Sequence, residues 1–249
     1  MVVGKYSSSL NNSSWYKSYI FIFKIQRRIF KSVCVKDFRT SLMLQKLLLQ
    51  SNSARLLSIR DVTQISSLRK VAGLDGKTSL TFSERFQLNE FIKKSFNNWF
   101  PNSFKNVSLL NKEGVSKTFR IPTIADRVWF ELILKSIEPA HEAIFHPRNF
   151  SYRFSRSIYE IQNSVFFNLN ASSKGIQKRF LKVCLPESIF SFDIATLINK
   201  IISPRSIKLG ILRSLKKGLY TSFCATCFII FLSLIKSFYS KTLLFFIWI

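Results

Sequence analysis

The stretch from Pro122 to Pro139 limits the fold more than any other part of the chain, because it admits only a helix that is packed on most of its sides. Thr123 supplies a hydroxyl N-cap, and Asp126 places a carboxylate in the first turn, where the helix dipole favours negative charge. Val128, Trp129, Phe130, Leu132, Ile133, Leu134 and Ile137 cover nearly all of the cylinder. Arg127, Glu131, Lys135 and Glu138 share one line of alternating sign, expected to be the wet side, and Glu138-Pro139 is expected to end the helix. A helix of this kind needs other elements around it.

The loop that follows, 146–156, interleaves Arg148, Arg153 and Arg156 with Phe150, Tyr152 and Phe154. Guanidinium groups meet phosphates and rings stack on unpaired bases, so this loop suits RNA; a solvated arginine loop beside a core helix is the plain alternative. Composition bears on that choice. The 249 residues carry 38 Lys and Arg against 13 Asp and Glu, a net charge of +25, which points to a polyanion: nucleic acid first, anionic membrane second. With 47% hydrophobic and 15% aromatic residues the chain is not a solvated basic tail. Its 26 Phe, and its many Ile, Lys and Asn, use A/T-rich codons, which suggests an organelle genome. Cys34, Cys184, Cys224 and Cys227 make no disulfide framework in a chain this long.

The basic charge is concentrated early. Residues 1–70 hold thirteen Lys and Arg against two acids. Within Tyr19 to Ser32, Lys24, Arg27, Arg28 and Lys31 fall on one helical face, with Ile22, Ile25 and Ile29 opposite. Like charges so spaced repel, and a covering polyanion relieves them. A solvated basic face and an organelle transit peptide are the competing readings. A second helix is expected from Asp37, taking Leu44, Leu47 and Leu48 inward and leaving Arg39 and Lys46 outside; the pattern continues past Arg55 towards Gln64. The glycines of Val71 to Lys77 mark a turn. Phe82 to Phe100 reads as helix, with Phe86, Phe91 and Phe96 among its apolar positions; Val107 to Leu110 and Val115 to Arg120 read as a hairpin; residues 158–180 read as helix and Ser188 to Ile194 as a strand.

The order of these segments resembles the reverse transcriptase-like maturases encoded in group II introns, over about residues 15–217. IQRRIFKS, LQKLLLQSNSARLLSIRDVTQ and VAGLDGKT are similar to that family's N-terminal helices and the turn after them. IPTIADRV, IEPAHEAIFHP and FSYRFSRS are similar to its fingers motifs, and FSFDIATLINKI to the start of its palm. The resemblance implies an α+β fold: helix-rich right-hand polymerase fingers with a partial palm, plus a hydrophobic C-terminal segment. It also marks departures. Asn111 stands where the family has a lysine, and Lys117-Thr118-Phe119-Arg120 where Arg-Pro-Leu-Gly is usual. Asp193 matches the first metal-binding aspartate of the palm, but Ile198 and Asn199 replace the aromatic and second aspartate, and no Asp or Glu follows Asp193. A two-metal polymerase needs further carboxylates, so Asp193 is expected to be vestigial and the chain to have no polymerase activity.

The expected organisation is a basic helical RNA-binding region, 1–70, a fingers and partial palm region, 71–217, and a hydrophobic tail, 218–249. Gly218 to Ile235 is eighteen residues without charge, flanked by Lys208, Arg213, Lys216 and Lys217. As a helix it reaches about 27 Å, just short of a bilayer core of about 30 Å, so a membrane anchor, a buried palm helix and a degenerate tail all remain open. Cys224 and Cys227 have metal or redox spacing without a second ligand pair, and His141 and His146 lack a cluster, so no metal or other cofactor is expected. The expected RNA-binding residues are Lys24, Arg27, Arg28, Lys31, Arg39, Lys46, Arg55, Arg60, Arg127, Arg148, Arg153 and Arg156. Expected partners are intron RNA, a second polypeptide supplying palm and thumb, and a membrane through 218–235. A plastid protein assisting group II intron splicing is the leading expectation. A small basic membrane protein and a non-functional maturase remnant are the alternatives.

Overall fold

Helix α5 (Ile124–Glu142) is the element around which the others pack in the computed structural model, which describes residues 13–110, 116–145, 157–170 and 194–218. The apolar residues that made a surrounded helix necessary are inside: Val128, Trp129, Phe130, Leu132, Ile133 and Ile137 are all buried. Against them lie α1 (Ser13–Cys34), α2 (Phe38–Gln50), α3 (Asn52–Arg60) and α4 (Phe82–Ser95). A hairpin of β1 (Lys105–Leu110) and β2 (Ser116–Ile121) pairs antiparallel with Val107 opposite Phe119 and delivers the chain to α5. Beyond α6 (Ile158–Leu169), α7 (Ile194–Lys200) and α8 (Arg205–Lys216) return to the same core. The result is helix-rich with one small sheet among the described residues, consistent with the α+β expectation.

The local signals explain the helix starts. Asp37 caps α2 by accepting from Thr40 N at 3.1 Å, Ser51 caps α3 through Ala54 N, and Thr81 and Glu84 form a capping box at α4. After α3 the chain takes a π-helical turn, Asp61–Ile65. On α2 the inward residues are Leu44, Leu48 and Leu49; Leu47, expected inside, is 49% exposed. On α4, Phe86 and Phe91 are half exposed and only Phe96, just past its end, is buried. Residue 194 begins a helix; the rest of the expected strand at Ser188 to Ile194 lies outside the described residues, as do 171–180 of the expected helix.

Two corrections concern α5. Its charged line is not wet, because Arg127 is buried and donates to the Pro122 and Val71 carbonyls at 3.0 and 2.8 Å. Lys135 bridges Glu131 and Asp61 at 2.5 and 2.8 Å, roofed by the π-helical turn. Nor does Pro139 end the helix, which continues to Glu142. Proline lacks the N–H that would bond the carbonyl four residues back, that of Lys135, a loss that normally breaks a helix. Gln26 of α1 replaces it, its Nε2 donating to Lys135 O at 2.8 Å.

This repair gives a test. Gln26→Ala should cost about 1–3 kcal/mol by leaving a partly buried carbonyl without a donor. In a Pro139→Ala background the restored N–H satisfies that carbonyl, so the cost of Gln26→Ala should fall to within a few tenths of a kcal/mol. Urea unfolding of the four proteins measures the coupling; strictly additive losses would contradict the repair.

Two glycines of α8 and its end are required by close approach, as is Gly73, where an added Cβ would lie 2.7 Å from Pro122 O. At Gly210 an added Cβ would lie 2.5 Å from the buried Trp129 ring, so α8 can sit against the stacked Trp99 and Trp129 only with glycine there. Gly218, at φ +86°, ends α8 beneath the Arg120 guanidinium. Among the described residues no helix is long and apolar enough to cross a membrane, and 219–235 lies outside them.

Candidate nucleic-acid interface

The inner face of α1 is fixed by packing, and that decides what its outer face presents. Ile22, Ile25, Ile29 and Val33 are buried, in the 3.6-residue rhythm expected of a docked helix. Gln26 binds α5, and Tyr19 donates its hydroxyl to Asp61 Oδ1 at 3.4 Å. Lys24, Arg27, Arg28 and Lys31 are therefore all turned out and exposed. None of the four makes an ion pair or side-chain hydrogen bond among the described residues. The acids that could neutralise them are engaged elsewhere: Asp61 and Glu131 hold Lys135, and Asp37 caps α2.

Rings share this surface. Phe23 is 65% exposed and Phe30 38%, with Arg27 between them in the sequence. These rings lie outside the buried face that anchors the helix. Alternating with cations, they form a surface suited to phosphates and unstacked bases. The expected cations Arg39 and Lys46 lie exposed on α2, seven residues apart and on one face. The rings of α1 are absent from the expected site, which placed its aromatic contacts in the loop at 146–156. The four- and three-residue steps from Phe23 to Arg27 to Phe30 carried the signal.

The remaining expected site residues divide clearly. Arg55 is 3% exposed, and its guanidinium donates to Asn89 Oδ1 at 3.0 Å and Gln50 O at 2.7 Å. Burial is the main influence on it, lowering its pKa. Arg55 and Arg127 thus serve packing and are removed from the interface. Arg60 is half-buried and stacks over the Trp15 ring at 4.9 Å. Arg148, Arg153, Arg156 and Asp193 lie outside the described residues. The outward side of α8 adds cations that the sequence presents only as the flank of an apolar run: Lys208 and Lys216, with Arg205 at its start. Among the described residues no group of three or more His, Cys, Asp or Glu could hold a metal. His141 is buried and accepts from Ile202 N at 3.3 Å, a structural role.

Residues 11–92 match the N-terminal domain of reverse transcriptase, which places the whole basic face of α1 and α2 inside the matched region. The chain is 47% identical to maturase-like protein 1 of Euglena gracilis over 213 residues, 85% of this chain and 46% of that protein. It is 43% identical to maturase-like protein 1 of Euglena longa over 217 residues, 87% of this chain and 48% of that one.

The chain belongs among the maturase-like relatives of reverse transcriptase.

It spans about half the length of these relatives. The likeness runs well past the N-terminal domain, because more than four-fifths of this maturase-like chain aligns with each of them. Its Lys24, Arg27, Arg28 and Lys31 stand in the region that matches the N-terminal domain of reverse transcriptase.

Proposed function

We propose that this chain is an RNA-binding, maturase-like protein that assists group II intron splicing in a plastid without polymerase chemistry. The observation that carries the reading is the outer face of α1, where four exposed cations without carboxylate partners alternate with exposed rings. Such a face gains little by remaining in water and much by taking the phosphates of an RNA, with release of counterions. The maturase-like relatives support the intron as the source of that RNA. The A/T-codon residues support an organelle gene.

The mechanism is binding. A protein that holds the splicing-competent fold of an RNA better than its other folds shifts the population towards that fold by its differential affinity. In this arrangement residues 71–217 act as polymerase fingers with a partial palm, the loop at 146–156 contacts unpaired bases, and Asp193 is a vestige of the metal site. A second polypeptide supplies whatever palm and thumb the RNA requires. The test is splicing of a group II intron from the same organelle at a magnesium concentration that supports little self-splicing. Added protein should raise the spliced fraction and should extend no primer on an RNA template. Unchanged splicing, or primer extension by the protein, would contradict the proposal.

A further inference from the structure

Outside α1, the described residues form a cleft of about 380 Å³ between the end of α2, the turn after α4 and the start of α8. Lys46 and Arg205 stand at its sides, brought together from positions far apart in the chain. Gln50, Asn97 and Ser206 supply amide and hydroxyl groups, and Phe96 an apolar floor. No carboxylate lines it. Lys46 and Arg205 are exposed and have no ion pair or side-chain hydrogen bond among the described residues.

The walls are tied before any ligand arrives. Ser206 Oγ lies 3.3 Å from Asn97 Oδ1, and Arg213 donates to Asn98 Oδ1 at 2.7 Å while its guanidinium lies over the Phe100 ring. Lys217 Nζ reaches Pro101 O at 2.5 Å. On the other side Gln45 of α2 donates its Nε2 to Ile202 O at 2.8 Å, so the backbones that carry Lys46 and Arg205 are positioned in advance and only the two side chains are ordered on gripping an anion. The cleft also lies between two basic surfaces. Arg39 and Lys46 share the outer face of α2, and Arg205 and Lys208 begin that of α8.

We propose that this cleft is a second seat for RNA, a single strand whose phosphates bind Lys46 and Arg205 as it passes from the α1–α2 face towards α8. The inference deepens the RNA-binding reading and rests on it. RNA is favoured over a free nucleotide because the cations continue on both sides of the cleft, where a mononucleotide would leave them unused.

The test uses the full chain and an unstructured 30-nucleotide RNA, with Kd measured against salt for the wild type and for Lys46→Ala/Arg205→Ala. Removing two cations that meet phosphates of a single strand should make the slope of log K against log salt shallower by about 1.4, and Arg205→Gln alone by about 0.7. Far-UV circular dichroism and Tm should not change, since both side chains are exposed. An unchanged slope would overturn the proposal. Inorganic phosphate and 5′-AMP, followed by NMR of the backbone amides of Gln50 and Ser206, separate the sources. Saturable binding of either that RNA cannot displace would assign the cleft to a small phosphorylated ligand and overturn the RNA seat. If the wild type binds the RNA without salt dependence, the function proposed for α1 falls too. If only the cleft variants behave as wild type, the cleft alone is lost.

Discussion

Asp126→Ala is expected to destabilise the protein by about 3–5 kcal/mol, an effect at the upper end of what single substitutions do. The carboxylate is fully buried at the start of α5 and satisfies three donors from different parts of the chain. Oδ1 accepts from Trp99 Nε1 at 3.1 Å, Asn102 N approaches both oxygens at 3.3 Å, and Oδ2 accepts from the Thr123 hydroxyl at 2.7 Å. Burial raises the Asp126 pKa, against these bonds, which lower it. Alanine leaves the indole N–H without a partner in the core and frees the 97–102 turn that carries the Trp99 ring stacked on Trp129 at 5.4 Å. Because α8 packs on that pair through Gly210, its attachment should loosen as well. Urea unfolding gives the stability, and near-UV circular dichroism should lose the signal of the paired tryptophans. Asp126→Asn, which keeps an acceptor for Trp99, should cost about 1 kcal/mol. An alanine variant within about 1 kcal/mol of the wild type would show that this carboxylate does not hold the turn.

Glu138→Gln should do the reverse and stabilise the protein by about 2–3 kcal/mol above pH 7. Burial, with Glu131 adding to it, raises the Glu138 carboxyl to about 7 from 4.5; Lys135 opposes the rise and Glu142 assists it. A carboxyl whose folded pKa exceeds its unfolded value holds more protons in the native state between about 4.5 and 7. Its stabilising contribution is full below the unfolded value and is lost as pH rises through 7. His141 has the opposite sign. Burial, with Lys208 nearby, lowers its imidazole to about 4 from 6.5, so the native state holds fewer protons there and stability is lost as pH falls. The two slopes oppose each other between about 4.5 and 6.5, which should leave the wild type nearly flat across that window. Glu138→Gln should unmask the histidine: stability should climb from pH 4.5 to 6.5 and then hold. Unfolding midpoints at about pH 5, 6.5 and 8 decide it, and a variant weaker than the wild type at the highest of these would contradict the account.

Helices α1 to α6 and the hairpin were legible because their signals are local, whereas α7 and α8 were not read as helices. Caps at Asp37, Thr81 and Thr123 lie within three residues of the amides they serve, and the isoleucines of α1 repeat with the helix. What escaped depends on partners distant in sequence. Pro139 looks like a stop in the sequence because nothing near it shows that Gln26, over a hundred residues earlier, supplies the missing donor. Arg55 and Arg127 carry the same charge as Arg27 and differ only in what surrounds them, Asn89 in one case and the Val71 carbonyl in the other. The site was half legible: four cations on one face of α1 could be counted from periodicity. The rings beside them, and the meeting of Lys46 with Arg205, needed the packing.

The most direct test of the central claim is the salt dependence of intron-RNA binding by the wild type and by a variant with Lys24, Arg27, Arg28 and Lys31 all changed to alanine. These side chains lie outside the core, so the variant should fold as the wild type does. Wild-type affinity should fall steeply from about 50 to 200 mM salt. The variant's slope should be shallower by about 2.8–3.6, at roughly 0.7–0.9 for each phosphate no longer neutralised. Equal slopes for the two proteins, with the variant folded, would contradict the account.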